Sequence, residues 1–183
     1  MALGPDDHKK IESFAAAAGE RTGMHVATVI VPASDRYALY PIAWGALVAL
    51  IAGAVLALGW PRLPLREAFA IEAAVFVAAS ILLDWFPIRL RIVPRHVRHA
   101  RASAMAHRAF AARILAQKHE GGGVLLFVSQ SERYAEVIGD RAAHARLGHA
   151  WDAVVATLVA SARNGRLAEG ITAAIDELTR SAR

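Results

Sequence analysis

The most apolar part of the chain is a run without any charged residue between Arg36 and Arg62. The run covers Tyr37–Pro61, and a helix of its roughly 20 central residues spans the hydrocarbon core of a bilayer, which is about 30 Å thick. A helix in the core of a soluble protein is usually shorter and keeps a polar stripe, which this run lacks. The pattern therefore predicts a transmembrane helix at about residues 41–60.

A second apolar run, Glu67–Ile88, follows a short turn that contains Pro61 and Pro64. Proline disrupts the interior of a helix but is favoured at its first position, so this turn predicts the end of one helix and the start of another. We expect helices at about residues 41–60 and 67–88. Together they predict a transmembrane helical hairpin over residues 37–88.

Small residues recur on the first predicted helix at a spacing of four positions. They are Gly45, Ala49, Gly53 and Ala57. Small faces let membrane helices approach each other closely. The spacing indicates packing within the hairpin, with a homodimer through the same helix face as the alternative.

Two carboxylates interrupt the second run, Glu72 and Asp84. Because an ionised carboxylate inside a bilayer is costly, membrane-embedded acids are candidates for function. The simpler interpretation of Glu72 is that it reaches the outer interface or pairs with Arg62 or Arg66. Asp84 is about one turn from Arg89 and is expected at the inner interface. Membership of a transport complex through Glu72 is a further alternative and would need an oligomer.

Arginine is concentrated immediately after the second run, within about 15–20 residues of the membrane. The arginines there are Arg89, Arg91, Arg95, Arg98 and Arg101. The positive-inside rule predicts a multi-pass membrane protein with both termini and the soluble part in the cytoplasm. Contact of these arginines with lipid head groups explains much of the net charge of +5 without nucleic acid as a partner.

The segments outside the predicted hairpin indicate an α/β fold, a small sheet covered by helices. A run rich in β-branched residues predicts a strand at Met24–Val31, and a short apolar run predicts a second buried strand at Val124–Val128. Alternation predicts an adjoining strand at Arg133–Ile138. Helical spacing is found at about Gly4–Gly19, Pro94–Lys118, Gly148–Ala162 and Leu167–Arg180. Because a hairpin returns the chain to one side of the membrane, residues 1–36 and 89–183 are expected to form one domain split by the hairpin.

Composition excludes several classes of protein. Hydrophobic residues make up 56% of the chain, which excludes disorder, and the absence of cysteine excludes disulfides, thiolate metal sites and a cysteine nucleophile. His96, His99 and His107 lie within one arc of the predicted basic helix. Without a carboxylate at ligand spacing, a solvated basic face explains them more simply than a metal site. The glycines of Gly121–Gly123 precede a strand and so lack the context of a phosphate-binding loop.

A set of motifs lies in two parts of the chain, about residues 8–34 and 105–180. The first is Gly19–Ala27, in which Glu-x-Thr-Gly opens an apolar strand. The others are Gly123–Ser129, Glu132-Arg133, Glu136–Asp140, Trp151 and Gly165–Ile171. Together they resemble the TPM domain family, which includes thylakoid-lumen proteins of photosystem repair and many bacterial membrane proteins.

This resemblance implies an α/β sandwich and two kinds of function. Some family members are described as acid phosphatases and some bind a divalent metal, whereas others are assembly or modulator proteins. For a phosphatase the candidate catalytic residues are Glu120, Glu136 and Asp140. The last two are also the candidate metal ligands, and Arg133 is the candidate for binding phosphate. A set of surface salt bridges on a strand hairpin is the simpler interpretation.

Two features depart from the family pattern. His119–Gly122 stand where the family often has Asp or Asn, and the arginines indicate a cytoplasmic domain where the family often has an external one. We therefore expect an inner-membrane protein that presents a TPM-like module for binding or assembly with a membrane or cytoplasmic protein. A membrane-anchored, metal-dependent acid phosphatase is the alternative. No cofactor is predicted, and the sequence leaves open whether the domain binds a divalent metal.

Overall fold

The computed structural model describes residues 5–116, 121–164 and 166–182. Contacts divide the chain into two compact units. Residues 1–35 and 98–183 form the first, which we call the split unit. Residues 36–97 form the second, which we call the helical unit.

The helices alternate with strands only in the split unit. They are α1 (Pro5–Thr22), α2 (Leu39–Gly59), α3 (Leu65–Asp84), α4 (Phe86–Ile92), α5 (Arg95–Phe110), α6 (Arg141–Leu147), α7 (Ala150–Arg163) and α8 (Leu167–Ser181). A π-helical turn, Ala111–Leu115, follows α5 directly. The basic helix predicted at Pro94–Lys118 therefore ends earlier as an α-helix, at Phe110, and its predicted last residues lie outside the described ones.

The split unit contains a three-stranded sheet of β1 (His25–Val31), β2 (Gly123–Ser129) and β3 (Tyr134–Gly139). The strand order is β1-β2-β3, with β1 parallel and β3 antiparallel to β2. The small sheet predicted from the sequence is confirmed, and each strand begins and ends within one residue of its predicted bounds. The third strand starts at Tyr134 because Arg133 takes a left-handed turn conformation, with φ of 50°.

Helices cover both faces of the sheet. Successive strand residues point to opposite faces, so β2 contributes Val124 and Leu126 to one core and Leu125 and Phe127 to the other. The first core is completed by α1, α6, α7 and α8, and the second by α5 and the π-helical turn. Every residue of β2 is buried, which makes it the central strand of the unit.

The helical unit is dominated by α2 and α3. Gly45 lies against Ser80 and Gly53 lies against Glu72, so the two helices run antiparallel. Among the described residues, α2 is the one helix long and apolar enough to cross a membrane by length and composition, and little of it is buried. In contrast, α3 carries four charged residues: Arg66, Glu67, Glu72 and Asp84.

The second predicted membrane helix is shorter than expected, because α3 ends at Asp84 and not at Ile88. Trp85 is extended, with ψ of 122°, and α4 begins at the next residue. Pro87 explains the break: it has no N–H to continue the α3 hydrogen-bond ladder, whereas the first turn of α4 needs none from it.

Sequence reasoning missed α6. The helix has 7 residues, too few for apolar periodicity to stand out, and its signal is the residue before it, Asp140. The following helix was expected from Gly148 but begins at Ala150, because Gly148 takes a positive φ of 47° at the end of α6.

Candidate functional site

Asp140 joins three elements of the split unit. Its Oδ1 accepts a hydrogen bond from the backbone N–H of Ala143 at 2.8 Å, which makes it the N-cap of α6. Its Oδ2 accepts from the backbone N–H of Gly123 at 2.9 Å. The Asp140 N–H in turn donates to the Gly123 carbonyl at 3.0 Å. The carboxylate therefore holds the start of β2, the end of β3 and α6 together.

The glycines beside Asp140 are required by close backbone approach. A Cβ on Gly122 would lie 2.7 Å from the Ala143 nitrogen, and the φ of Gly122 is +87°. A Cβ on Gly121 would collide with the carbonyl of Gly23, and one on Gly123 would collide with Ile114. The triple glycine makes room for the backbones of Gly23 and Ala143 and for the Ile114 side chain, which is a structural reason for the motif that involves no phosphate.

Glu136 lies in the middle of β3 and binds side chains. The Tyr134 hydroxyl donates to its Oε2 at 3.0 Å, and the His107 Nε2 lies 3.7 Å from its Oε1. The His99 ring contacts the Tyr134 ring, with 5.4 Å between centroids. We call His99, Ser103, His107, Tyr134 and Glu136 the β3–α5 cluster. Sequence reasoning missed it because its members come from two elements that only the fold brings together.

Tyr134 is the group whose titration this environment changes. Burial raises the pKa of Tyr134 above the usual tyrosine value of 10.0. A hydrogen bond with Ser103 lowers this pKa, while the negative charge of Glu136 and its hydrogen bond to the phenol raise it. The net direction is upward, so the cluster holds a neutral phenol that donates to a carboxylate.

A third carboxylate, Glu132, was not among the predicted site residues. It lies in the turn between β2 and β3, where it is only 4% exposed. Its Oε1 accepts from the backbone N–H of Ser34 at 2.9 Å, and its Oε2 accepts from the Ser129 hydroxyl. Glu132 thus ties the segment after β1 to the end of β2. In the sequence, the only sign of this role is an acidic residue in the predicted turn between two strands.

The predicted candidates do not converge on one point. Arg133 precedes β3 and Asp140 follows it, so they stand at opposite ends of the strand, about 20 Å apart. Arg133 is exposed, and Glu136 faces α5 from the middle of the strand. Glu120 lies outside the described residues. Within the described ranges, no three or more His, Asp or Glu side chains are grouped closely enough to hold a metal ion.

In the helical unit, the Glu72 carboxylate packs against the glycine surface of α2. A Cβ on Gly53 would lie 3.1 Å from its Oε1. In the part of the chain that the structure describes, Glu72 forms no ion pair with Arg62 or Arg66. The expected neighbour of Asp84 is present, since Arg89 donates to its Oδ1 at 3.0 Å.

The five arginines predicted to contact lipid lie in two different settings. Arg91, Arg95 and Arg101 are exposed, whereas Arg89 and Arg98 are half-buried. Arg101 also reaches Asp35, with 3.5 Å between Nε and Oδ2, within the split unit. Exposure leaves the first group accessible to anionic head groups, but lipid contact stays a prediction.

Comparison with models of known families gives one match to this chain. The model of the TPM domain matches residues 87–181, which include β2, β3 and all the helices that follow them. No curated protein and no solved structure matches the chain. The match leaves out α1 and β1, although β1 pairs with β2 along its whole length. Because the match covers more than half of the 183 residues, the chain belongs to the TPM domain family.

Proposed function

We propose that this protein is a membrane-anchored TPM module that binds another protein at or near the membrane and does not act as a catalyst. The observation that carries the non-catalytic part of the proposal is the hydrogen bonding of Asp140. Each of its two carboxylate oxygens accepts a hydrogen bond from a backbone N–H. Both oxygens are thereby engaged in holding β2 and the start of α6 in place, although each oxygen keeps a second lone pair. Its arrangement favours a structural role.

The membrane part of the proposal is supported by α2. This helix has 21 residues without a charge, and large side chains such as Leu50 and Leu58 are 64% and 86% exposed. In water this surface would be unfavourable, whereas hydrocarbon accommodates it. We propose that α2 and α3 cross the bacterial inner membrane as a hairpin, with the split unit in the cytoplasm. The arginines after α3 support that orientation.

Anchoring is tested by placing charge on α2. Each arginine at the centre of a membrane helix costs about 2.5–3.5 kcal/mol of insertion free energy. The double variant Leu50→Arg, Ile51→Arg should leave the membrane fraction after alkaline washing. Leu115→Arg, which alters an equally exposed leucine of the split unit, is the matched control and should stay. Full retention of the double variant would remove α2 as the anchor.

Orientation is tested with a reporter fused after Arg183. Cytoplasmic behaviour of the reporter is expected, and periplasmic behaviour would overturn the proposed topology.

The absence of catalysis is tested on the full chain in detergent, with a chromogenic phosphate monoester as substrate and with or without Mg²⁺, Mn²⁺ or Ca²⁺. We expect no phosphate release above that of buffer. Release that Glu136→Gln abolishes would establish the phosphatase and overturn the binding proposal. This variant is suitable because Glu136 holds no backbone group in the contacts described above, so its fold should persist.

A further inference from the structure

The outer side of β1 has no strand beside it. In the described part of the sheet, β1 pairs with β2 alone. The N–H of His25 donates to the Gly122 carbonyl at 2.8 Å, and the carbonyl of Val31 accepts from Gln130 at 3.0 Å. The odd-numbered residues of β1 therefore direct their backbone groups toward β2.

Backbone groups alternate in direction along a strand, so the even-numbered residues point the other way. The N–H and C=O groups of Val26, Thr28 and Ile30 consequently face the open edge. Strand side chains on both faces are held in the two cores, with Val26 8% and Thr28 9% exposed. The edge is therefore a row of backbone donors and acceptors, and Gly19 of α1 lies beside the first N–H of the row, that of Val26.

A groove accompanies this edge along its whole length. One cavity of about 780 Å³ lies beside Met24–Thr28, and a second of about 260 Å³ lies beside Thr28–Val31. Arg113 lines both cavities, and Glu12 of α1 also lines both. The opening is thus bounded by α1 on one side and by the π-helical turn on the other.

Soluble proteins usually protect an edge strand with proline, lysine, a bulge or a covering element. The sequence of β1, His-Val-Ala-Thr-Val-Ile-Val, contains no proline or lysine, and its register with β2 is unbroken over seven residues. Such an edge is suited to strand addition, in which main-chain hydrogen bonds supply affinity and alternate side chains supply specificity.

The two walls of the groove carry opposite charge. Glu12 and Glu20 project from α1 and are exposed, and Arg113 is exposed on the other face of the sheet. The side chains of an added strand alternate between these faces. Self-pairing of β1 about a two-fold axis would place α1 beside α1 and bring the glutamates of the two copies together. Charge complementarity therefore favours a different chain.

We propose that the open edge of β1 binds an extended segment of a partner protein by strand addition. The segment carries basic side chains at alternate positions that face α1 and an acidic side chain between them that faces Arg113. This inference rests on the proposed function as a binding module, and it names the surface and the partner chemistry.

The test uses the full chain in detergent and a labelled heptapeptide, Lys-Thr-Val-Glu-Lys-Thr-Val, measured by fluorescence anisotropy. Two control peptides accompany it: one with Lys and Glu exchanged, and one N-methylated at alternate residues on the hydrogen-bonding edge. We expect both controls to bind at least tenfold more weakly. Equal binding of the N-methylated peptide would overturn strand addition, and failure of the parent peptide to bind would overturn the stated chemistry.

Two protein variants sharpen this test. The triple variant Glu12→Lys, Glu20→Lys, Arg113→Glu should invert the preference between the parent and the charge-exchanged peptide. Arg166→Glu changes an exposed arginine outside the groove and should leave the preference unchanged. A triple variant that keeps the wild-type preference, or dimerisation of the wild-type chain that Thr28→Pro abolishes, would overturn the proposal. Thr28→Pro removes an outward N–H and breaks no bond to β2.

Photocrosslinking in native membranes separates this inference from the proposed function. A photoreactive residue at Glu12 should crosslink to a protein, and one at Glu169, outside the groove, should not. Crosslinks from Glu169 alone would overturn the edge site while leaving a binding module in place. Crosslinks from neither position would also overturn the edge site, whereas the phosphate-release assay tests the binding proposal separately.

Discussion

The ends of the β2–β3 strand pair and its middle use carboxylates in different ways. At one end Asp140 binds the backbone N–H groups of Gly123 and Ala143. In the turn at the other end, Glu132 binds the backbone of Ser34 and is almost fully buried. In the middle, Glu136 binds only side chains in the contacts described here, at the half-exposed boundary between β3 and α5.

Asp140 and Glu132 therefore stabilise the fold, whereas Glu136 acts on neighbouring side chains at the surface. A buried N–H that loses its acceptor keeps the full desolvation penalty, whereas an exposed side chain can turn to water. The terminal carboxylates should therefore affect the free energy of unfolding, and Glu136 should affect the titration of Tyr134. The following substitutions test this distinction in order of expected effect.

The largest effect is expected from Asp140→Ala. The variant removes the N-cap of α6 and leaves the buried N–H of Gly123 without an acceptor, so the free energy of unfolding should fall by about 3 kcal/mol. Urea unfolding of the full chain in detergent, followed by hydrogen exchange of β2 peptides, measures it. Asp152→Ala, an exposed acid in the first turn of α7, is the control. If Asp140→Ala and Asp152→Ala are equally stable, Asp140 does not stabilise the fold and resembles Glu136 in this respect.

Glu132→Ala should have the next largest effect. It leaves the Ser34 N–H and the Ser129 hydroxyl without their carboxylate acceptor, which should lower the free energy of unfolding by about 2 kcal/mol. Glu132→Gln keeps one acceptor oxygen and should recover part of the loss. The same hydrogen-exchange measurement applies. If the alanine variant exchanges as slowly as wild type near Ser34, the turn does not depend on this bond.

Glu136→Gln should change the pKa of Tyr134 more clearly than it changes the free energy of unfolding. Removing the negative charge lowers the pKa of Tyr134 toward 10.0, because the carboxylate contributes to raising it. Ultraviolet absorbance of the phenolate measures this, with Tyr134→Phe identifying the band. The folded-state pKa of Tyr134 is raised, so its contribution to stability is complete below pH 10 and is lost as pH rises through the folded value. An unchanged pKa in Glu136→Gln would contradict the assignment.

The smallest effect is expected for the interaction energy between the side chains of His107 and Glu136. The two atoms are 3.7 Å apart and the histidine is 62% exposed, so a double-mutant cycle should give a coupling energy below about 0.5 kcal/mol. Substituting alanine at both positions singly and together, at low and high salt, provides the cycle. Coupling as large as the Asp140 effect would erase the distinction between the ends and the middle of the strand pair.

Local patterns predicted the sheet well, because β1 and the fully buried β2 appear as short apolar runs and the partly buried β3 appears as an alternation of apolar and polar residues. The helix of residues 39–59 was equally clear, since no charge interrupts it. Contacts between distant elements could not be predicted. Nothing in the spacing of His107 and Glu136 indicates that α5 covers β3, and this packing alone brings them together.

The same limit explains the interpretation of Asp140. In sequence, an acid after an apolar strand is compatible with a metal ligand, a general base or a helix cap. Its role depends on which donors surround it, and those come from Ala143, three residues later, and from Gly123, at the start of another strand. Only the first is a local signal, and the short helix that it begins was not recognised.

The parallel pairing of β1 with β2 also sets an order of events during synthesis. His25 pairs with Gly123, and all of residues 36–97 lie between them. At about 5–20 residues per second, β1 leaves the ribosome on the order of 5–20 s before its partner strand exists. During that interval α1 and β1 have no sheet to join, and the apolar strand is exposed on every side. A factor that shields it then would raise the yield of folded protein.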